Sequence, residues 1–252
     1  MVKVKTGKKT VTLKMIQDEW RGCTKCEIGK HVRNHVFMDS IPKGLTKADI
    51  VFIGEGPGVV EDVKGLPFTG PSGQLLRDAI TEVDPECRHC AGSGYSKKRE
   101  SDCPYCLGHG HVRIVLLNLL VCRPYKSKMS SPGNRQPAQQ EVLNCMPRLV
   151  QMIQQINPSI FVMLGHEAQS YIPLIREELS KPMPVEQSGI EFMAMKHPAN
   201  LLRQIGTDRT SLLYKQYTDQ LQHCFDKYLN SNRQDSLQAE GARPGKPRAR
   251  RA

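Results

Sequence analysis

Apolar runs alternate along this chain with segments whose apolar residues recur every three or four positions. "DIVFIG" (49–54), "RIVLLNLLVC" (113–122), "SIFVMLG" (159–165) and "IEFMAMKHP" (190–198) read as strands, the first three apolar enough to be buried on both faces. Helical spacing marks "LKMIQDEW" (13–20), "GQLLRDAI" (73–80), "AQQEVLNCMPRLVQMIQQI" (138–156), "HEAQSYIPLIREELS" (166–180) and "TSLLYKQYTDQLQHCFDKYL" (210–229). Ser72 is the expected cap of the second of these helices, and Pro147 predicts a kink or a break in the third. Buried strands alternating with helices predict an α/β fold, a parallel central sheet flanked by helices. Residues 84–112 break the pattern with Gly, Cys and charge and read as an insert.

Sheets of this kind bind ligands beyond the carboxyl ends of their strands. Three features converge there: the turn "GEGPGVVEDVKGLPFTGPSGQLL" (54–76), Asn118 near the end of its strand, and His197 after the last one. The turn has the glycines of a phosphate-binding loop, Gly54 and Gly56 among them. Its ionisable groups, though, are Glu55, Glu61 and Asp62, without the Lys-Ser/Thr of a P-loop. Each residue also has a plain structural reading. Phe68 would be core, Asn118 a satisfied buried amide, His197 a helix cap, Glu55 half of a salt bridge, and Glu61 with Asp62 a solvated pair.

Eight of the nine cysteines fall into two sets. Within the insert, "CRHCAGSG" and "CPYCLGHG" repeat a CxxCxGxG pattern at Cys87, Cys90, Cys103 and Cys106. Each CxxC turn aims two thiolates at one metal, and four sulfurs suit tetrahedral zinc. The repeat resembles the cysteine-rich knuckles of DnaJ-type chaperones, and only the metal site is inferred from that likeness. The other set is dispersed: Cys23 and Cys26 in "CTKC", Cys122 ending the second strand, and Cys145 on the following helix. Four thiolates there suit either zinc or a 4Fe–4S cluster. Cys224, on the apolar stripe of the last helix, reads as core.

The net charge of +11 resides mostly at the ends. Lys3, Lys5, Lys8, Lys9 and Lys14 precede the first acid, Asp18, and Arg243, Lys246, Arg248, Arg250 and Arg251 follow the last, Glu240. Such ends favour a polyanionic partner, nucleic acid, over a merely solubilising role. The expected organisation is a basic arm at 1–13, a domain at 14–230 interrupted by the insert at 84–112, and a disordered basic tail at 231–252. No run of apolar residues is long enough to span a membrane, and the basic start lacks the apolar core of a secretory signal. A cytoplasmic protein, unsecreted, is expected.

Taken together these segments resemble the family 4 uracil-DNA glycosylases. "GEGPG…ED…G-PF-G-SGQLL" is similar to that family's first motif, "NLLVCRP…GNRQP" to its central strand and loop, and "HPANLLR" to its last motif, with "CTKC" at the front. The likeness covers roughly residues 14–228 in order. It departs at the insert, at the extra residues around "YKSKMSS", and at Lys196 and Asn200 beside His-Pro.

The resemblance implies an α/β/α sandwich and a 4Fe–4S cluster of structural role on Cys23, Cys26, Cys122 and Cys145. It also implies a monofunctional hydrolase that leaves an abasic site in single- or double-stranded DNA. A flipped uracil would stack on Phe68 and pair with Asn118, and its O2 would accept from His197. Glu55 or Glu61 would stabilise the oxocarbenium-like sugar or orient water, and Gly54 and Gly56 would let the backbone approach the base. A monomer is expected, acting in a bacterial, archaeal or phage-infected cell. The zinc insert returns to the strand carrying Asn118, so it is expected beside the catalytic edge, either contacting DNA or a replication or repair protein or serving as a passive lid held by its own zinc. Two alternatives stay open: a non-catalytic DNA-binding or replisome accessory protein on the same scaffold, and a glycosylase for another deaminated or modified base.

Overall fold

The computed structural model describes residues 11–241 apart from 84–85, 88, 98–99, 104–105, 107, 128–132 and 182–189; of 232–241 only the helical backbone is described. The lysines at 3, 5, 8 and 9, the cations beyond residue 241, and part of "YKSKMSS" therefore lie outside it.

Strands β1 (Met38–Ile41), β2 (Ile50–Gly54), β5 (Ile114–Asn118), β6 (Ile160–Leu164) and β7 (Glu191–Met195) form one sheet in the order β1-β5-β2-β6-β7. The four strands expected from the apolar runs are all parallel. The fifth, β1, is antiparallel at the edge beside β5, so the sheet is mixed at that edge. β2, β5 and β6 are buried along their whole length. Their residues alternate between two cores, as the two-residue period of a strand requires. Val51, Ile53, Val115, Leu117, Phe161 and Met163 face α1 (Leu13–Trp20), α4 (Gln139–Ile156) and α6 (Ile172–Ser180). Ile50, Phe52, Ile114, Leu116, Ile160 and Val162 face α3 (Pro71–Glu82), α7 (Pro198–Ile205) and α8 (Leu212–Gly241).

Local chemistry accounts for most helix ends. Thr12 caps α1 by accepting the Met15 amide, and Leu13, Ile16 and Trp20 form its buried stripe. Gly70, not Ser72, caps α3, with Pro71 in the first turn, where a missing N–H costs nothing. α4 runs unbroken through Pro147. The single helix expected over 166–180 is two, α5 (Gly165–Ser170) and α6, separated at Tyr171, with Pro173 in the first turn of the second. α8 continues to Gly241, past the expected domain end at residue 230.

The insert is a compact knuckle in which β3 (Tyr95–Ser96) pairs with β4 (Ser101–Asp102). Its two CxxCxGxG halves interlock reciprocally: the Cys87 amide donates to the Gly110 carbonyl and the Cys103 amide to the Gly94 carbonyl, both at 2.8 Å. Gly94 and Gly110 have φ of +72° and +76°, and a β-carbon on either would run into the carbonyl of Gly108 or Gly92 respectively. Both positions therefore need glycine. Contrary to expectation, the knuckle lies away from the carboxyl end of the strand that carries Asn118. It rejoins the sheet through Arg113, whose amide and guanidinium both bind Asp49 just ahead of β2. The knuckle thus sits at the amino ends of the strands, with the roughly 13 Å length of β5 between it and Asn118.

Candidate active site and cysteine centres

From β2 the chain crosses to β5 on one side, and later to β6 on the other. The crevice beyond the carboxyl ends of β2 and β6 is thus a topological switch point. A cavity of about 390 Å³ opens there, lined by Glu55 and Gly56 after β2 and by Gly165, His166 and Glu167 after β6, with His197 and Arg203 opposite. A second cavity of about 170 Å³ shares Gly56, Asn134, His197 and Ala199 with it and adds Gly58, Glu61, Phe68, Ser72 and Asn118. That volume suits one six-membered ring, since a protein cavity of about 150 Å³ accommodates benzene.

Gly54 and Asn118 are register partners at the ends of adjacent strands. A β-carbon on Gly54 would lie 2.6 Å from Asn118 Oδ1 and 2.8 Å from Phe68 Cζ. A side chain at this glycine would thus occupy the space between amide and ring. Asn118 is 4 % exposed, and its side-chain amide has no protein hydrogen-bond partner among the described residues. Phe68 holds a φ of +54°, uncommon for a residue with a β-carbon. Arg77 secures this conformation by donating to the carbonyls of Phe68 and Pro67 while its Nη2 meets Asp39 at 2.5 Å.

His197 is the N-cap of α7, its Nδ1 accepting the Ala199 amide at 3.1 Å. That bond places the proton of the neutral ring on Nε2. Burial, then Arg203, push the imidazole pKa down to about 4 against a weaker opposing pull from Glu61. The ring is therefore neutral at pH 7 and offers an Nε2–H donor. The cap reading and the donor reading coincide in one side chain.

The two glutamates differ. Glu61 is 8 % exposed, and both its oxygens are engaged by backbone amides: Oε1 by Thr69 (2.9 Å) and Gly70 (2.6 Å), Oε2 by Gly58 (3.1 Å). It stitches the two halves of the glycine-rich turn together. Asp62 is buried too, accepting from the amides of Arg33 and Asn34, so neither acid is a solvated surface group. Glu55 is half-buried and borders the larger cavity. Burial, then the nearby Glu167, raise its carboxyl above the usual range. Sequence reasoning overlooked Asn134, which donates to the Pro57 carbonyl and accepts from Arg123. Glu167 and Arg203 were overlooked as well. Their signal was position: three residues after β6 and six residues beyond His197.

The dispersed cysteines do converge. Cys23, Cys26, Cys122 and Cys145 line a single recess with Gly29, Leu120 and Asn144, and Asn144 Nδ2 lies 3.2 Å from Cys26 Sγ. Leu120 connects this recess to the active site, for its Cβ would be 3.6 Å from a β-carbon on Gly56. In the insert, Cys87, Cys90, Cys103 and Cys106 bring all four sulfurs within 4.8 Å of one another, with 3.8 Å between Cys87 and Cys103 and 3.7 Å between Cys90 and Cys106. That arrangement can hold a metal ion. Among the described residues no other His, Cys, Asp and Glu group is this tight.

Residues 41–222 match the family model of the uracil DNA glycosylase superfamily. A type-4 uracil-DNA glycosylase of Saccharolobus solfataricus is 35 % identical over 64 % of this chain and 58 % of its own length, so the match leaves a substantial part of that relative uncovered. The type-4 enzyme of Archaeoglobus fulgidus is 31 % identical over 73 % of this chain and 80 % of its own, and that of Thermotoga maritima 30 % over 76 % and 83 %. With a family match over most of its length and a mostly parallel α/β sheet, the chain belongs to the uracil DNA glycosylase superfamily.

Proposed function

We propose that this protein hydrolyses the N-glycosidic bond of uracil in DNA and leaves an abasic site. The observation that carries the reading is the cavity of ring size at the switch point, with a free buried amide, an aromatic ring and a neutral imidazole donor on its walls. An extruded uracil stacks on Phe68 and presents N3–H and O4 to the Asn118 amide. Cytosine presents an unprotonated N3 and an amino group, which an amide held in one orientation cannot match. As the bond breaks, negative charge accumulates on the base, and the His197 Nε2–H donates to O2. A fixed neutral donor of this kind needs no reorganisation during the reaction. Glu55, at the mouth of the larger cavity, faces the sugar, where its carboxylate opposes the developing positive charge and orients the incoming water. Glu61 is a positioning residue, since its oxygens are already taken by three amides.

Two metal centres accompany this reading. The 3.7–3.8 Å sulfur spacing in the knuckle is what four Zn–S bonds of about 2.3 Å require of a tetrahedron. Zinc is therefore assigned to Cys87, Cys90, Cys103 and Cys106. The looser quartet of Cys23, Cys26, Cys122 and Cys145 suits a 4Fe–4S cluster, whose body separates its thiolates further than one ion does. Such a cluster supplies a rigid covalent tie among three chain segments, and the hydrolysis needs no electron from it. The test is incubation of metal-replete protein with a uracil-containing oligonucleotide, followed by alkali. Strand scission at the uracil is expected; an uncleaved strand overturns the reading.

A further inference from the structure

Arg148 lies in the middle of α4 and is 0 % exposed. Its Nη2 donates to the main-chain carbonyls of Asn118 at 3.1 Å and Leu119 at 2.5 Å. Cys145 lies one turn before it on the same helix, and Cys145, Cys122 and Cys23 are near enough to interact with the guanidinium electrostatically. Its Nε is buried without a protein acceptor. A guanidinium stays charged under all ordinary conditions, and a fully buried charge persists only beside compensating charge. No carboxylate contacts it among the described residues. The groups that face it from β5, α4 and the segment after α1 are two carbonyls, the Met152 thioether beside Nη1, and cysteine sulfurs. Metal-bound thiolates and the sulfides of a cluster would supply both the missing negative charge and an acceptor for Nε.

We propose that Arg148 is a positioning residue that couples the cluster of Cys23, Cys26, Cys122 and Cys145 to the base-reading Asn118. One face of the guanidinium is neutralised by the thiolate centre. The other pins the two carbonyls at the end of β5 and so fixes where the Asn118 amide points. The inference rests on the uracil-DNA glycosylase reading and on an iron–sulfur occupant. The wild-type protein is therefore checked first for iron, for absorbance and for uracil release, which separates failure of that reading from failure of this one.

Arg148→Lys and Arg148→Met divide the two duties. Lysine keeps the charge but cannot span both carbonyls, whereas methionine loses charge and donors together. Arg148→Lys should retain iron and a reduction potential close to wild type, while kcat on a uracil oligonucleotide falls by about tenfold or more and KM changes little. Arg148→Met should show the same kcat loss with, in addition, a reduction potential shifted to more negative values, because a cation no longer favours the electron. Wild-type kcat and potential in a folded Arg148→Met protein would overturn the proposal. So would equal losses in both variants confined to thermal stability. Should neither variant accumulate, the wild-type holoprotein answers directly: Arg148 guanidinium protons should be protected from exchange and paramagnetically shifted, and rapid exchange without a shift would exclude the coupling.

Discussion

The two cysteine quartets use the same ligands at opposite ends of one sheet. The dispersed quartet is drawn from three distant segments, and Leu120 beside it packs behind Gly56, which lines the candidate site. The knuckle quartet comes from one short stretch, closes on itself through paired glycines, and is fastened to the far end of β2 and β5 by Arg113 and Asp49. A centre that recruits remote segments organises the protein around it. A self-contained one is an attachment, and its contribution is surface and local stability.

The largest expected effect separates the quartets outright. Cys122→Ala should abolish the iron–sulfur absorbance at about 400 nm and lower the rate at least about 100-fold, since small displacements at a reacting centre cost that much. Cys103→Ala should leave both intact while removing bound zinc. If Cys103→Ala bleaches the protein or halts catalysis, the two ends are not independent. Next in size, His197→Ala should reduce kcat by about 10²–10³-fold with absorbance and DNA affinity preserved. A loss of affinity in place of kcat would return His197 to a capping role alone.

At the other end, Gly110→Ala should lower stability by about 1–3 kcal/mol, the range for a residue forced into an unfavourable backbone region. Thermal unfolding should show this while kcat is unchanged. Replacing 86–111 by a short glycine linker should leave the salt dependence of DNA binding as it was, because the knuckle is not beside the pocket. A flatter dependence would mean that the DNA reaches it after all. The smallest effect concerns protons. In the proposed mechanism Glu55 acts as a carboxylate, and burial and then Glu167 hold its carboxyl high. Activity should therefore fall with decreasing pH at a value above the usual 4.5, and Glu167→Gln should move that limb to lower pH. His197 contributes to stability with the opposite weighting from a salt-bridged histidine. With a folded value of about 4 below the ordinary 6.5, its contribution is complete above pH 6.5 and is lost as pH falls toward 4, because the unfolded chain takes up the proton first.

Much of this organisation was legible in the residues. Three apolar runs became the three fully buried strands, and the glycine turn, Phe68, Asn118 and His197 do meet at one cavity. β1 was missed because "MDSI" is short and half polar; it forms only as an edge to β5. The structural engagement of Glu61 was not legible, because its partners, Thr69 and Gly70, come into reach only when the turn folds back. Arg148 gave no signal, as an arginine amid a polar-rich helix reads as a solvated face until α4 is laid against β5. The position of the knuckle could have been read: residues that precede a strand lie at its amino end, whereas this sheet binds its ligand at the other.

The amide of Ala199, by holding Nδ1 of His197, settles the orientation of the imidazole before any substrate arrives. Glu61 does the same for the turn and Arg77 for Phe68. A receptor finished in advance makes no distinction between a uracil still joined to its sugar and one already released. On the proposed function the freed base should therefore linger and compete with the next substrate, so that turnover slows as product accumulates.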